Sequence, residues 1–291
     1  MLILFTDTDT DITPAQAKEY GYHLISMPYS IDGETTYPYE DFEEFDAHAF
    51  YEKLRGGVLP NTSAISTQRY KDYFEPHFKN GDDILYVHFS RNMTATFDNM
   101  DIAVKELLEQ YPDCHFYEID TMGITLCSLQ TVLEIGDLYK AGKTAEELLA
   151  YADREVKKVA CYFFADDLRF FRHSGRVSGI AGTMGTLLGI RPIIYMNDEG
   201  KMVSVGKEKG RVKAMERLLS YVDALGEDVK DHRVLIGNTD SRDIAEEIER
   251  MLKERYGRDL RTMIVDVNPT AGSHCGPNTV GICFHGKRRS L

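Results

Sequence analysis

The sequence predicts an α/β protein of two domains, an N-terminal mostly parallel sheet covered by helices and a C-terminal mixed sheet with helices. Three observations predict it. Through the first half, short apolar runs alternate with amphipathic stretches of helical period. In the second half, RPIIYMNDEGKMVSVGK joins two strand-like runs through a DEG turn, the pattern of an antiparallel hairpin. At 291 residues the chain exceeds the usual size of a single core, so two units are expected, 1–158 and 159–291, with the boundary near Lys158.

The elements follow in order. LILFT is the first strand; TPAQAKEYG is a helix with Thr13 as N-cap and Pro14 at the first helical position, and HLISMPYSI is the next strand. The pattern resumes with a strand from Ile84 to Phe89 and a helix from Thr94 to Gln110. A strand HFYEID ending at Asp120 and two helical segments over 124–157 close the first domain. The second opens with ACYFFADDL, passes a small-residue segment SGIAGTMGTLLG and reaches the hairpin. A helix from Gly210 to Ala224, a strand HRVLIGN, a helix from Arg242 to Tyr256 and a last strand TMIVDVN follow, and a Gly- and Pro-containing loop ends the pattern.

Composition excludes several classes. With 43% apolar and 28% charged residues, and no apolar run near the roughly 20 residues that span a bilayer, the chain reads as a soluble globular protein. Its start, MLILFTDTDT, lacks the basic region and long apolar core of a signal peptide, so a cytoplasmic location is expected. A net charge of -13 repels nucleic acid, and the basic run Lys287 to Arg289 is too short to reverse that field; it reads as a solvated tail. Five scattered cysteines without a CxxC pair read as free thiols, with no metal site or cofactor expected.

Three constellations could carry chemistry. Asp7, Asp9 and Asp11 alternate after the first strand, but Ile12 and Lys18 stand where an EF-hand needs its glycine and last carboxylate. The same run suggests a Mg-dependent haloacid-dehalogenase-like phosphatase using Asp9 and Asp11, with Thr13, Ser90, Asp166 and Asp167 in supporting positions. Against it, the strand-end position belongs to Asp7, which puts Asp11 where the threonine belongs; Asp7 and Asp11 then read as caps of the following turn and helix. Second, Cys275 with His274 as base would be a nucleophile, but sequence neighbours point their side chains apart. Third, hydroxyls recur on loops: Thr62 and Ser63 in LPNTSAIS, Ser90 and Thr94 in HFSRNMTATF, Ser273 beside His274 in TAGSHCGPNTVG. Such loops leave backbone N–H groups free for an anion, the alternative being that each hydroxyl only caps a helix.

The runs FTDTDTDIT, LPNTSAIS, HFSRNMTATF, FFADDLRFFRHSGRVSG, LLGIRPII with DEGK, and GSHCGPNTVG resemble, in order and spacing, the motifs of the DegV family over nearly the whole chain. The resemblance implies two α/β domains with a long-chain fatty acid buried between them. It implies a lipid-binding protein and not an enzyme: the acyl-binding subunit of bacterial fatty acid kinase, which presents the carboxylate to a separate ATP-dependent kinase for acyl phosphate formation and phospholipid synthesis. The ligand is then the fatty acid, with no cofactor, and the partners are the kinase subunit and, transiently, a membrane for ligand exchange.

Carried over by position, the resemblance assigns Thr62, Ser63, Thr94, Ser273 and His274 to the fatty acid carboxylate. It departs at Thr94 and Ala95, where the family has Ser-Gly, at Ser273, Cys275 and Asn278 in the last motif, and most of all over Thr121 to Ser128. Ala95 removes a glycine's backbone freedom, whereas Asn278 tolerates a left-handed conformation. Ile180, Met184, Leu187 and Leu188 are expected along the acyl tunnel, with Gly182 and Gly185 leaving room beside the chain; close helix packing is the other reading. Arg169, Arg172, His173, Arg176, Arg191, Arg211 and Lys213 form a basic minority, from which Arg172 and Arg176 are expected to dock the kinase, against simple solvated charges.

Overall fold

The computed structural model describes residues 1–178 and 189–291. The N-terminal part runs β1 (Leu2–Asp7), α1 (Pro14–Tyr20), β2 (Tyr22–Ile25), β3 (Tyr29–Ile31), β4 (Glu34–Thr36), α2 (Ala47–Arg55) and β5 (Asn61–Thr62). It continues with α3 (Thr67–Lys79), β6 (Asp83–His88), α4 (Thr96–Gln110), β7 (Phe116–Asp120), α5 (Leu126–Lys140) and α6 (Ala145–Glu155). The C-terminal part runs β8 (Val159–Phe164), α7 (Arg169–Ser174), β9 (Val177–Ser178), β10 (Ile190–Met196), β11 (Met202–Lys209) and α8 (Arg211–Leu225). It ends with β12 (Val234–Asn238), α9 (Arg242–Tyr256), β13 (Thr262–Asp266), α10 (Pro269–Cys275) and β14 (Val280–His285).

The fold is α/β, with a parallel sheet β2-β1-β6-β7 in the N-terminal part and a mixed sheet β13-β12-β14-β8-β10-β11-β9 in the C-terminal part. Local chemistry starts α1 where the sequence says: Thr13 accepts from the Gln16 N–H while the Gln16 side chain accepts from the Thr13 N–H, and Pro14 fills the first helical position. The expected strand HLISMPYSI is instead two. Pro28 between them has no N–H to give a ladder, so β2 stays beside β1 and β3 joins a separate antiparallel sheet β4-β3-β5.

The core is built on strand alternation. In β8, Val159 and Cys161 face one apolar cluster, while Ala160, Tyr162 and Phe164 face another under α8 and α9. The first cluster also holds Leu4, Phe5 and Ile84 of the parallel sheet, so the two sheets share a core. Between them lies α5, buried continuously from Leu126 to Leu133, the polar Ser128, Gln130 and Thr131 included.

Three expectations near the C-terminus are corrected. TMIVDVN is not the last strand: β14 follows and takes a central place between β12 and β8, with Cys283 opposite Cys161. The loop carrying His274 is largely the helix α10, started by the Asn268 side chain accepting from the Ala271 N–H and by Pro269 at its first turn. Nor is the basic tail simply solvated, because Arg289 is 1% exposed and donates to the carbonyls of Thr121, Met122 and Val156. Among the described residues no helix is long and apolar enough to cross a membrane.

Candidate functional site

In open parallel sheets, functional loops leave the carboxyl ends of the strands. Here the loops after β1, β6 and β7 meet β5, α10 and the inner face of the mixed sheet around a cavity of about 1200 Å³, its mouth included. Phe89, Leu126, Cys161, Phe163, Met196 and Met202 give it apolar walls. Thr62, Ser63, Thr94 and His274 also line it, so hydroxyls from separate loops do converge on one space. Ser63, Ala64, Ala95 and Arg176 are exposed as well as lining, which puts the mouth beside these hydroxyls.

Thr62 lies at the end of β5, paired with Tyr29, and its Oγ1 is 3.1 Å from Nε2 of His274 in the last turn of α10. Thr94 Oγ1 accepts from the Thr96 N–H at 3.1 Å, an arrangement that leaves the Thr94 proton available to a ligand. Ala95 and not Thr94 immediately precedes α4, which therefore starts two residues later than expected. Ser273 differs from the expected set: its buried hydroxyl donates to the Pro269 carbonyl at 2.8 Å, one helical turn back, and does not line the cavity.

His274 is half-buried by accessible surface and enclosed by protein. That burial, together with the positive charges of Arg176 and His173, pushes its pKa down to about 4, so the ring is neutral at neutral pH. It can give or take a hydrogen bond without carrying charge. Burial and the nearby carboxyls of Asp11 and Asp9 push the Cys275 thiol up to about 12, which leaves it protonated and a poor nucleophile.

The acidic run takes another form than either sequence reading. Asp7 accepts from the N–H of Asp9 at 3.0 Å, capping a short 3-10 turn as expected, and also from Tyr86 Oη and the Phe89 N–H. Asp11 does not cap a helix; it accepts from the backbone and side chain of Asn268 at 2.9 and 2.7 Å and so ties β1's loop to α10. Burial raises both carboxyls to about 7, and raises Asp9, with Asp7 and Asp11 adding to the effect. The phosphatase alternative is not supported by this geometry. Asp166 is paired with Arg191 at 2.6 Å and Arg211 at 3.0 Å, and Asp167 with Arg169 at 2.7 Å. Among the described residues the one three-ligand group, His48, Glu52 and Asp240, excludes Asp9 and Asp11, and Arg55 bonds both Glu52 and Asp240.

Arg169, Arg191 and Arg211 serve intramolecular ion pairs; Arg176 is exposed on the cavity lining, and Arg172 and His173 are exposed on α7 just before it. Ile124, Thr125 and Leu126, from the stretch that departs most from the expected motifs, line the cavity. The expected tunnel residues Ile180, Met184, Leu187 and Leu188 lie outside the described residues. What sequence reading missed was the opposite wall, Cys161, Phe163, Met196 and Met202; only the alternation of ACYFF could have signalled it.

Fold and cavity together define the class, an α/β protein with an apolar, polar-ended cavity between a parallel and a mixed sheet. The chain belongs to the DegV family: the model for this family of uncharacterised proteins matches residues 1–287. A DegV domain-containing protein of Clostridium perfringens is 30% identical over 98% of this chain and 97% of its own. Among solved structures, a DegV lipid-binding protein of Thermotoga maritima superposes with a TM-score of 0.84 at 22% identity, covering 99% of both chains. A stearic acid-binding protein of Eubacterium ventriosum gives 0.86 at 19%, again over 99% of both. DegV of Bacillus subtilis, a fatty acid-binding protein, gives 0.82 at 23%, over 98% of this chain and 99% of its own.

Proposed function

We propose that this protein binds a long-chain fatty acid in the cavity and presents its carboxylate to a separate ATP-dependent fatty acid kinase. The carboxylate is held by Thr62, Ser63, Thr94 and His274. The observation that carries this reading is the convergence of these groups at the exposed mouth of an otherwise largely apolar cavity. The fatty acids bound by the structural relatives from Eubacterium ventriosum and Bacillus subtilis support the same ligand. Burying about fifteen methylenes at about 0.8 kcal/mol each yields on the order of 12 kcal/mol, before association costs. The tail thus supplies affinity. The head needs donors, because a carboxylate taken from water without them is costly.

In this reading the chain is no catalyst. A carboxylate oxygen attacks the γ-phosphorus of ATP held by the kinase; the bond to the β-phosphate oxygen breaks, and acyl phosphate and ADP form. Hydroxyls and a neutral imidazole suit that step, since they orient the carboxylate without the tight charge pairing of an arginine clamp. Arg176, exposed on the cavity lining, and Arg172, exposed on α7 just before it, are the kinase-docking surface of a chain of net charge -13. The division into domains 1–158 and 159–291 accords with all strands of the mixed sheet lying after 158. The carrier works in the cytoplasm and touches a membrane only to exchange ligand, delivering acyl phosphate to phospholipid synthesis.

Mass spectrometry of the protein, native and then denatured with solvent extraction, tests the ligand. About one equivalent of long-chain fatty acid, lost on denaturation, is expected; an empty protein that takes up no added fatty acid would sink the reading. Acyl phosphate formation with added kinase tests docking, where Arg172→Glu with Arg176→Glu is expected to slow the reaction while bound acid is retained. An unchanged rate would remove these arginines from the interface.

A further inference from the structure

Asp9 stands out along the cavity. It lines the space, is 6% exposed, and its carboxyl receives no hydrogen bond and no cation from any described residue. Its neighbour Asp7 has donors on both oxygens, and Asp11 has two donors on Oδ1 while its Oδ2 has none; of the three, Asp9 alone has no donor on either oxygen and lines the cavity, so the difference belongs to its position and not to the acidic run as a whole. Buried polar groups are hydrogen-bonded with few exceptions, and an exception facing a ligand cavity implies a partner on the ligand.

Beside it is Thr125, which also lines the cavity and whose N–H donates to the Asp9 carbonyl at 2.8 Å. Its backbone is held at φ 53° and ψ -129°, a costly conformation for a β-branched residue. Although Thr125 stands at the N-cap of α5, its side chain makes no capping bond. A threonine kept in a strained cap position without capping is a hydroxyl free for something else. The adjoining wall is apolar, with Phe89, Ile124 and Leu126.

We propose that Asp9 and Thr125 form a second polar subsite that takes a hydroxyl carried on the acyl chain, making a hydroxylated long-chain acid the preferred ligand. This inference rests on the reading that the cavity holds an acyl chain. A hydroxyl suits Asp9 in either protonation state, since it accepts from a carboxylic acid and donates to a carboxylate. Thr125 can complete the set as donor or acceptor. A plain methylene passing the same point leaves the Asp9 carboxyl without a partner, and sites built to bond a hydroxyl discriminate against ligands that lack it.

The test is calorimetric titration of delipidated protein with stearic acid and a positional series of hydroxystearic acids. One hydroxystearic acid is expected to bind about tenfold or more tightly than stearic acid. In Asp9→Leu that ratio is expected to fall toward one, in Thr125→Val to fall partway, and in Asp9→Asn, which keeps a hydrogen-bonding group of the same size, to survive in part. Stearic acid binding to each variant reports that the cavity is intact. Equal affinity for stearic acid and every hydroxystearic acid, as a water molecule satisfying Asp9 would give, overturns the subsite and leaves fatty acid binding standing. So does a preference unchanged in Asp9→Leu. Binding of none of these acids overturns both readings.

Discussion

The Thr62 hydroxyl lies 3.1 Å from Nε2 of His274, joining two residues 212 positions apart at the polar end of the cavity. One belongs to a two-residue strand of the N-terminal part, the other to the last turn of α10. The ring is neutral because burial, and after it the nearby Arg176 guanidinium, oppose its protonation. The pair therefore holds mobile hydrogen-bonding capacity with no fixed charge, which a carboxylate can use from either member.

Removing either member should weaken fatty acid binding by about tenfold to a hundredfold, the worth of one hydrogen bond to a charged group. Thr62→Val and His274→Ala together should cost less than the sum of the two, since each single change already breaks the shared contact. Ser273→Ala, whose hydroxyl serves Pro269, should leave affinity nearly unchanged. Titration of the four proteins against the wild type decides it; strict additivity would mean that Thr62 and His274 meet the ligand independently.

Much of this arrangement was legible in sequence, for reasons that differ by residue. α1 is readable because its start signals are local; the loops of Thr62, Ser63 and Thr94 are readable only as hydroxyls at helix starts, which could equally be caps, and His274 enters only through the family resemblance, while their lining of one cavity has no local signal. Ser273 misleads because neighbours on a helix face different ways, and Asn-Pro is the one local sign that α10 is a helix and not a loop. The place of β14 depends on pairing with β8 across more than a hundred residues, and the walls Cys161, Phe163, Met196 and Met202 depend on which face of the mixed sheet turns toward the parallel one, neither of which periodicity can assign. The basic tail concealed Arg289 because burial of an arginine against carbonyls has no sequence signature.

Stability should fall as pH rises between about 4 and about 7. The carboxyls of Asp7 and Asp11 rise from 3.8 to about 7 on folding, so in that window the folded protein keeps protons that the unfolded chain has lost. For Asp7 alone the linkage is on the order of 4 kcal/mol. His274 works the other way: lowered from 6.5 to about 4, it costs stability as pH drops through that range. Two carboxyls, with Asp9 shifted in the same direction, outweigh one imidazole. Urea unfolding near pH 5 and near pH 8 should show the higher midpoint at the lower pH, and Asp7→Asn should flatten the difference. A higher midpoint near pH 8 would contradict the protonated state of these groups.

Arg289 should prove structural out of proportion to its place as the third-to-last residue of the sequence. Its Nη2 donates to Thr121 at 3.1 Å and Val156 at 2.7 Å, and its Nη1 to Met122, pinning the turn that leads to Ile124 and Thr125. Arg289→Met takes a donor from each of those carbonyls, Val156 keeping only the Val159 N–H, and should cost about 2–4 kcal/mol. Amide exchange over residues 121–125 should quicken along with it. Exchange unchanged there, in a protein destabilised elsewhere, would mean that the tail braces the core and not the cavity turn.

Gly276 should control ligand binding without touching the ligand. It follows α10 with φ 68° and ψ 176°, a conformation that side chains resist, and a Cβ built there would stand 2.1 Å from Cδ2 of buried Phe170. Its N–H closes the last turn of α10 on Gly272 at 2.8 Å. A methyl at this point must either push Phe170 or unwind the turn that carries His274, and backbone strain with a core clash costs about 3 kcal/mol or more. Gly276→Ala should therefore lower the thermal midpoint and weaken fatty acid binding together. Adding Phe170→Leu should relieve the clash and leave the strain, so the double variant should regain part of the stability and part of the affinity. Stability restored with affinity still absent would show that the position of His274 depends on the glycine's dihedral angles, and affinity intact in Gly276→Ala would detach His274 from the carboxylate altogether.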